Sequence, residues 1–283
     1  MALIEPVLAD ERLRDDIGRR VERGGEHLDI WWLGQSGFLV ASRGRTWLFD
    51  PYLSDSLTRK YAATDKPHIR MTRRCIDPRM LSGIDVVSSS HRHTDHLDGD
   101  TLRPLLEVNL KLKILVPAAN LEFSAERIGV PAERLTPIRE GQTLTLSHFR
   151  VTAVPAAHEQ LEPTAAGFPC LGYVVDFGRY RVYHSGDTIG FPSMINWLRP
   201  LRVDLALLPV NGRKPERRVA GNLWGDEAAR LAHAVGASCA IPCHYDMFTF
   251  NTEPPDLFVD TCRELGQPYR VLQCGEHFRF PPR

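Results

Sequence analysis

One segment constrains this chain more than any other. A run of apolar and small residues, Ile84 to Ser90, ends abruptly, and His91, His93, Asp95 and His96 follow within six residues. Val86 and Val87 mark the run as a strand buried on both faces, so the motif begins where a strand becomes a loop. A strand end holds side chains at a sheet edge with little freedom. The alternation His-x-His points two imidazoles the same way, since side chains alternate with period two along an extended chain. The tighter pair Asp95 and His96 turns toward a second point. One loop thus offers two groups of nitrogen and carboxylate ligands, suited to two neighbouring divalent ions of the zinc or manganese kind. Histidine is scarce elsewhere, with 11 in the whole chain, so a solvated loop that happens to be rich in histidine does not account for the cluster.

Four ligands are too few for two hydrolytic ions, and the missing ones are expected at other strand ends. His158 follows VTAVPAA, Asp187 follows YRVYHSG, and His244 follows CAIPC. Each lies just past an apolar, β-like run. The surrounding pattern fits that placement. Residues Ala9 to Arg23 read as an amphipathic helix stopped by Gly24 and Gly25. Strands read at DIWWLG, FLVAS, TWLFDP, IDVVSSS, LKILVP, FRVTAVPA, LGYVVDFG, YRVYHSG, VDLALLPV, CAIPCH and YRVLQC. Helices read at DTLRPLLEVN, AANLEFSAERIG, FPSMINWLRP, GDEAARLAHAVG and PDLFVDTCRELG. No repeat or linker interrupts them. The expectation is an α/β fold forming a single domain over residues 1–283, with a helix and lead-in over 1–27, and with two sheets between outer helices.

Charge and cysteine usage narrow the partners. Thirty-five basic residues balance 35 acidic ones, which gives nucleic acid no global attraction. No apolar run is long enough for a membrane span, and the opening MALIEPVLADERLRDD lacks the apolar centre of a signal peptide, so a cytoplasmic protein is expected. Six scattered cysteines without a CxxC pair read as buried thiols. Cys239 and Cys243 flank Pro242 and are weaker ligand candidates than the harder donors nearby. Two clusters are locally basic: Arg59, Lys60, Lys66, His68, Arg70, Arg73, Arg74 and Arg79, and then Arg213, Lys214, Arg217 and Arg218. The second cluster, with Tyr245, is the expected wall for a small anionic substrate. His184, Asp50 and Asp246 are expected to hydrogen-bond the ligands from behind.

In chain order, HRHTDH, His158, HSGDT and a late histidine after IPC resemble the metallo-β-lactamase superfamily. WWLGQSGF, YHSGDT, LLPVNGR and IPCHYDMF resemble the subgroup that includes L-ascorbate-6-phosphate lactonase, and the resemblance runs from about Asp29 to Phe278. It implies an αββα sandwich of two mixed sheets flanked by helices. It further implies one ion on His91, His93 and His158, a second on Asp95, His96 and His244, and Asp187 as the bridge. Histidine at position 93 resembles the hydrolytic branch, since oxygen-reducing di-iron relatives tend to carry an acid there. The activity so implied is attack by a metal-activated hydroxide on a lactone or ester of a small anionic, sugar-like compound, phosphorylated or not. Asp95, Asp187 and His184 would be the catalytic residues, with Asp95 as proton shuttle. Two alternatives stand beside it: a phosphodiesterase acting on a nucleotide, a phospholipid head group or an RNA end, and a non-catalytic, metal-stabilised binding protein. No nucleic-acid or membrane partner is expected, and self-association is compatible with the sequence.

Overall fold

The computed structural model describes residues 2–158 and 161–281. Short apolar segments separated by tight turns build a meander first: β1 (Leu28–Gly34), β2 (Gly37–Ser42) and β3 (Arg45–Phe49), paired antiparallel. Longer connections then allow parallel neighbours, β4 (Val86–Ser88), β5 (Lys113–Pro117) and β6 (Leu135–Ile138). With β13 (His277–Phe280) at its other edge, this sheet has the order β13-β1-β2-β3-β4-β5-β6. The second sheet is built from β7 (Thr143–Leu146), β8 (Phe149–Pro155), β9 (Leu171–Asp176), β10 (Arg181–His184), β11 (Leu205–Pro209) and β12 (Cys239–Cys243). Its order is β12-β11-β10-β9-β8-β7.

Period-two alternation sorts side chains into two cores. Trp32, Phe38 and Trp47 point toward the second sheet and pack with Phe149, Val151 and Tyr173. Their neighbours Trp31, Leu39 and Leu48 point outward and meet helices α1 (Asp10–Arg23), α3 (Gly99–Val108) and α4 (Leu121–Ile128) through Leu13, Leu102 and Ile128. Trp47 meets Phe149 edge-on across the sandwich at 5.4 Å. The outer face of the second sheet is covered by α6 (Gly225–Val235) and α7 (Asp256–Leu265), with α5 (Met194–Leu198) beside them. Strands β11 and β12 are therefore buried along their whole length, as their unbroken apolar runs require. The result is the αββα sandwich.

Two differences from the sequence reading have a physical cause. YRVLQC is not a ladder strand. Tyr269 bridges Ala240 at the edge of β12, and then the chain crosses to the first sheet, where Gly275 N donates to Trp32 O. Leu272 and Cys274 are buried because this segment closes the side of the core. Pairing resumes at β13, where Leu28 faces Phe280. The short helix α2 (Ser56–Tyr61) leaves no periodic signal, because its six residues bury one leucine.

Strand direction decides where the loops emerge. β8 and β10 both run antiparallel to β9, and β10, β11 and β12 run parallel to one another. The carboxyl ends of β8, β10, β11 and β12 therefore share one edge. The loop after β4 comes to the same edge: Leu171 N donates to Ser90 O, and the Tyr173 hydroxyl donates to Ser89 O at 2.8 Å.

Candidate metal centre

That shared edge gathers seven side chains. His91, His93, Asp95 and His96 leave β4, His158 leaves β8, Asp187 leaves β10, and His244 leaves β12. Three overlapping groups each bring their ligand atoms within 4.8 Å of one another: His91, His93 and His158; His91, His96 and Asp187; Asp95, His96 and His244. Asp187 stands at the junction. Its Oδ2 lies 3.3 Å from His96 Nε2, 3.3 Å from His244 Nε2 and 3.8 Å from His158 Nε2. Asp95 Oδ2 lies 3.6 Å from both His96 Nε2 and His244 Nε2. His93 turns its Nδ1 inward, 3.1 Å from His158 Nε2, and its exposed ring marks the side open to solvent.

Hydrogen bonds behind the imidazoles fix which nitrogen faces the cluster. His96 Nδ1 donates to Asp50 Oδ2 at 2.6 Å, and His158 Nδ1 donates to Gly221 O at 3.0 Å. Ser90 Oγ donates to Asp50 and lies 3.0 Å from His91 Nδ1, whose proton it accepts. Ser90 N also donates to Asp50 Oδ1 at 2.8 Å. Asp50 is fully buried and thus anchors two ligand rings and the loop that bears them. Packing is tight enough to dictate Gly186: a Cβ there would sit 2.4 Å from Ser90 Cβ. Strain concentrates here too. Gln35, Asp50, His244 and Asp246 all have positive φ, four of the ten such non-glycine residues described. Positions of this kind persist where the surroundings over-determine them.

The electrostatics differ between the groups. Burial, reinforced by the neighbouring imidazoles of His96 and His93, pushes His91 well below the ordinary histidine range. Burial and His158 bring His93 down to about 4, and burial also lowers His158. These rings prefer the neutral form, which is the form that binds a metal. Around Asp187 the balance reverses. Burial opposes charge on His96 and His244, but Asp187 and Asp95 outweigh it and raise both. Burial would raise Asp187 as well, yet His96 and His244 hold it well below the usual carboxylate range.

The residues fit a divalent cation. His91 Nε2, His96 Nε2 and Asp187 Oδ1 are buried and have no hydrogen-bond partner, and the three side chains form one ligand group. Buried polar atoms are generally paired, and a cation held by these side chains would satisfy the two imidazole nitrogens. The nitrogen and carboxylate donor set suits zinc or manganese. All six cysteines are free, and neither Cys239 nor Cys243 joins a ligand group.

Other expected residues lie elsewhere. His184 sits behind the cluster: its Nε2 donates to Ser36 O at 2.8 Å, its Nδ1 accepts from Gly186 N, and its ring stacks on Phe49. It braces the turn bearing Asp187 and does not reach the ligand atoms. Tyr245 is a core residue, its ring 4.5 Å from Trp32 and its hydroxyl bonded to Leu272 O. Asp246 bonds through its backbone, to Thr252 and Thr72, and its carboxylate holds no ligand among the described residues.

The second basic cluster is not an open positive wall. Arg213 forks onto Glu227 at 2.6 and 2.7 Å, Lys214 and Arg217 both meet Glu253, and Arg218 meets Asp65. Lys66 Nζ donates to Arg218 O at 2.6 Å, so the two clusters stitch one loop to the other. In the first cluster, Arg59, Arg70, Arg73, Arg74 and Arg79 each face a carboxylate as well.

Among the side chains that sequence reasoning misses is one that touches two ligands. Gln35, in the turn between β1 and β2, places Nε2 2.8 Å from Asp95 Oδ2 and 3.1 Å from His244 Nε2. A polar residue between Gly34 and Ser36-Gly37 is its visible signal.

The chain is similar to known proteins. The model of a β-lactamase superfamily domain matches residues 45–245. A UPF0173 metal-dependent hydrolase of Methanoculleus marisnigri is 31% identical over 259 residues, covering 89% of this chain and 97% of its own length. Another UPF0173 metal-dependent hydrolase, from Methanopyrus kandleri, is 29% identical, with 88% and 98% covered. Igni18, a metallo hydrolase from Ignicoccus hospitalis, has the same fold, with a TM-score of 0.65 at 20% identity over 91% of this chain and 100% of that one.

Proposed function

Because the chain belongs to the metallo-β-lactamase superfamily of metal-dependent hydrolases, in its UPF0173 family, we propose that it is a dinuclear enzyme cleaving an ester or lactone bond in a small anionic molecule. The observation that carries this reading is the position of Asp187 between two ligand triads, each of which holds one buried imidazole nitrogen, His91 Nε2 or His96 Nε2, without a hydrogen-bond partner. His91, His93 and His158 would hold one divalent ion, Asp95, His96 and His244 a second, and Asp187 would serve both. Such ions supply Lewis acidity toward a carbonyl oxygen and lower the pKa of water to near neutrality.

The chain's own groups do the rest. Asp50 and Ser90 keep His91 and His96 facing inward, so no ligand has to reorganise during the reaction. Asp95 is partly exposed and has an oxygen at the cluster, so it can take the proton of the attacking water at its carboxylate. Arg92 lies between His91 and His93, is exposed, and has no ion pair among the described residues. It supports an anionic substrate better than the paired Arg213, Lys214, Arg217 and Arg218 do. Free cysteines and a balanced charge fit a cytoplasmic setting.

A substrate panel tests this reading. Protein loaded with Mn²⁺ or Zn²⁺ is assayed on phosphorylated and neutral lactones, linear esters and bis-p-nitrophenyl phosphate. The expected result is highest kcat/KM on an anionic lactone or ester. Preference for the phosphodiester would replace acyl transfer by phosphodiester hydrolysis at the same metals.

A further inference from the structure

We infer that Gln35 is a displaceable cap on the Asp95–His96–His244 position, so that a divalent cation fills this position after the His91–His93–His158 one. This rests on the proposal above that the chain takes two ions.

The turn between β1 and β2 has two residues, Gln35 and Ser36, between the paired Gly34 and Gly37. Gln35 has φ +50°. At the first central residue of such a turn a positive φ is normally met by glycine, and a glutamine there is strained. Something therefore favours a side chain at this position. Gln35 is buried, and its amide nitrogen reaches Asp95 Oδ2 at 2.8 Å and His244 Nε2 at 3.1 Å. Those two atoms are the lone pairs a cation would take from Asp95 and His244. Its backbone carbonyl accepts from Trp32 Nε1 at 2.9 Å and from His244 N at 3.0 Å, which locks the turn to the ligand. No residue from outside caps the inward atoms of the first triad in this way among the described residues. His91 Nε2 has no partner at all, and the one hydrogen bond His93 Nδ1 and His158 Nε2 make among the described residues is to each other.

The consequence is competition. An amide N–H bonded to a carboxylate is a charge-assisted contact. A cation entering here must break it, whereas entry at the first triad breaks only the contact between His93 Nδ1 and His158 Nε2. Gln35 is thus a positioning residue. It holds Asp95 and His244 together before the cation arrives and weakens their position relative to its neighbour.

The test is calorimetric titration of metal-free protein with Mn²⁺ alone, for wild type, Gln35→Gly and Gln35→Met. Glycine accepts the backbone angle, and methionine keeps the side chain's length without the amide. The expected result is two binding events in wild type. In both variants the weaker event tightens by about tenfold, the scale of one hydrogen bond to a charged group, and the tighter event is unchanged. Two events in wild type with a weaker event that is unaltered or weakened in the variants would overturn the cap and leave the two-ion reading standing. A single event in wild type would overturn both.

Discussion

The floor and the rim of the metal edge are built from the same kinds of residue, charged and capable of binding ions, yet they are finished differently. On the floor, His91 Nε2, His96 Nε2 and Asp187 Oδ1 are buried without hydrogen-bond partners. On the rim, Arg213, Lys214, Arg217 and Arg218 all meet a carboxylate. Unpaired nitrogens and oxygens that converge on one point are explained by a ligand that completes them, whereas paired charges serve the fold. The floor is accordingly the part that binds, and the rim mainly holds loops together.

Substitutions can break that comparison, and the largest effect belongs to the floor. Asp187→Asn keeps the shape but removes the carboxylate charge that faces His96, His244 and His158. Its turnover should fall by more than about a hundredfold while circular dichroism stays unchanged, because even residues behind the ligands are worth about 10–100-fold. Near wild-type turnover at saturating metal would remove Asp187 from the centre. Asp50→Asn should come next, with metal affinity lowered by about 10–100-fold in a direct titration, since His96 and Ser90 both depend on its carboxylate.

The rim should respond in stability instead. Arg217 is mostly buried and bonds Asn211 O, Thr252 O and Glu253 across two loops. Arg217→Ala should lower stability by about 1–3 kcal/mol in denaturant unfolding, with equal KM changes for charged and neutral substrates. Arg213→Ala should have the smallest effect, at most about 1 kcal/mol, because its bridge to Glu227 is partly solvated. A KM rise confined to anionic substrates in either variant would return the rim to the binding surface.

How much of this is legible in the sequence depends on how local the cause is. The ligand loop can be read because histidine and aspartate at strand ends have few structural uses. The strands can be read because their alternation survives in isolation. Long-range pairing cannot. Arg218 is neutralised by Asp65, 153 positions away, and Gln35 meets His244 across 209. Tyr245 misleads by adjacency. His244 has φ +67°, which swings the next residue back into the core, so the neighbour of a ligand does not face the metals. The basic loops look like an open wall because sequence shows the cations of a pair without their partners.

Metal counting reaches the central claim directly. Purified protein stripped with a chelator, reloaded with excess Zn²⁺ or Mn²⁺ and freed of unbound ion should contain two ions per chain by elemental analysis. His158→Ala and His244→Ala should each retain one, because the two triads share no histidine. A wild-type count that stays at one under saturating metal would contradict a floor built for two.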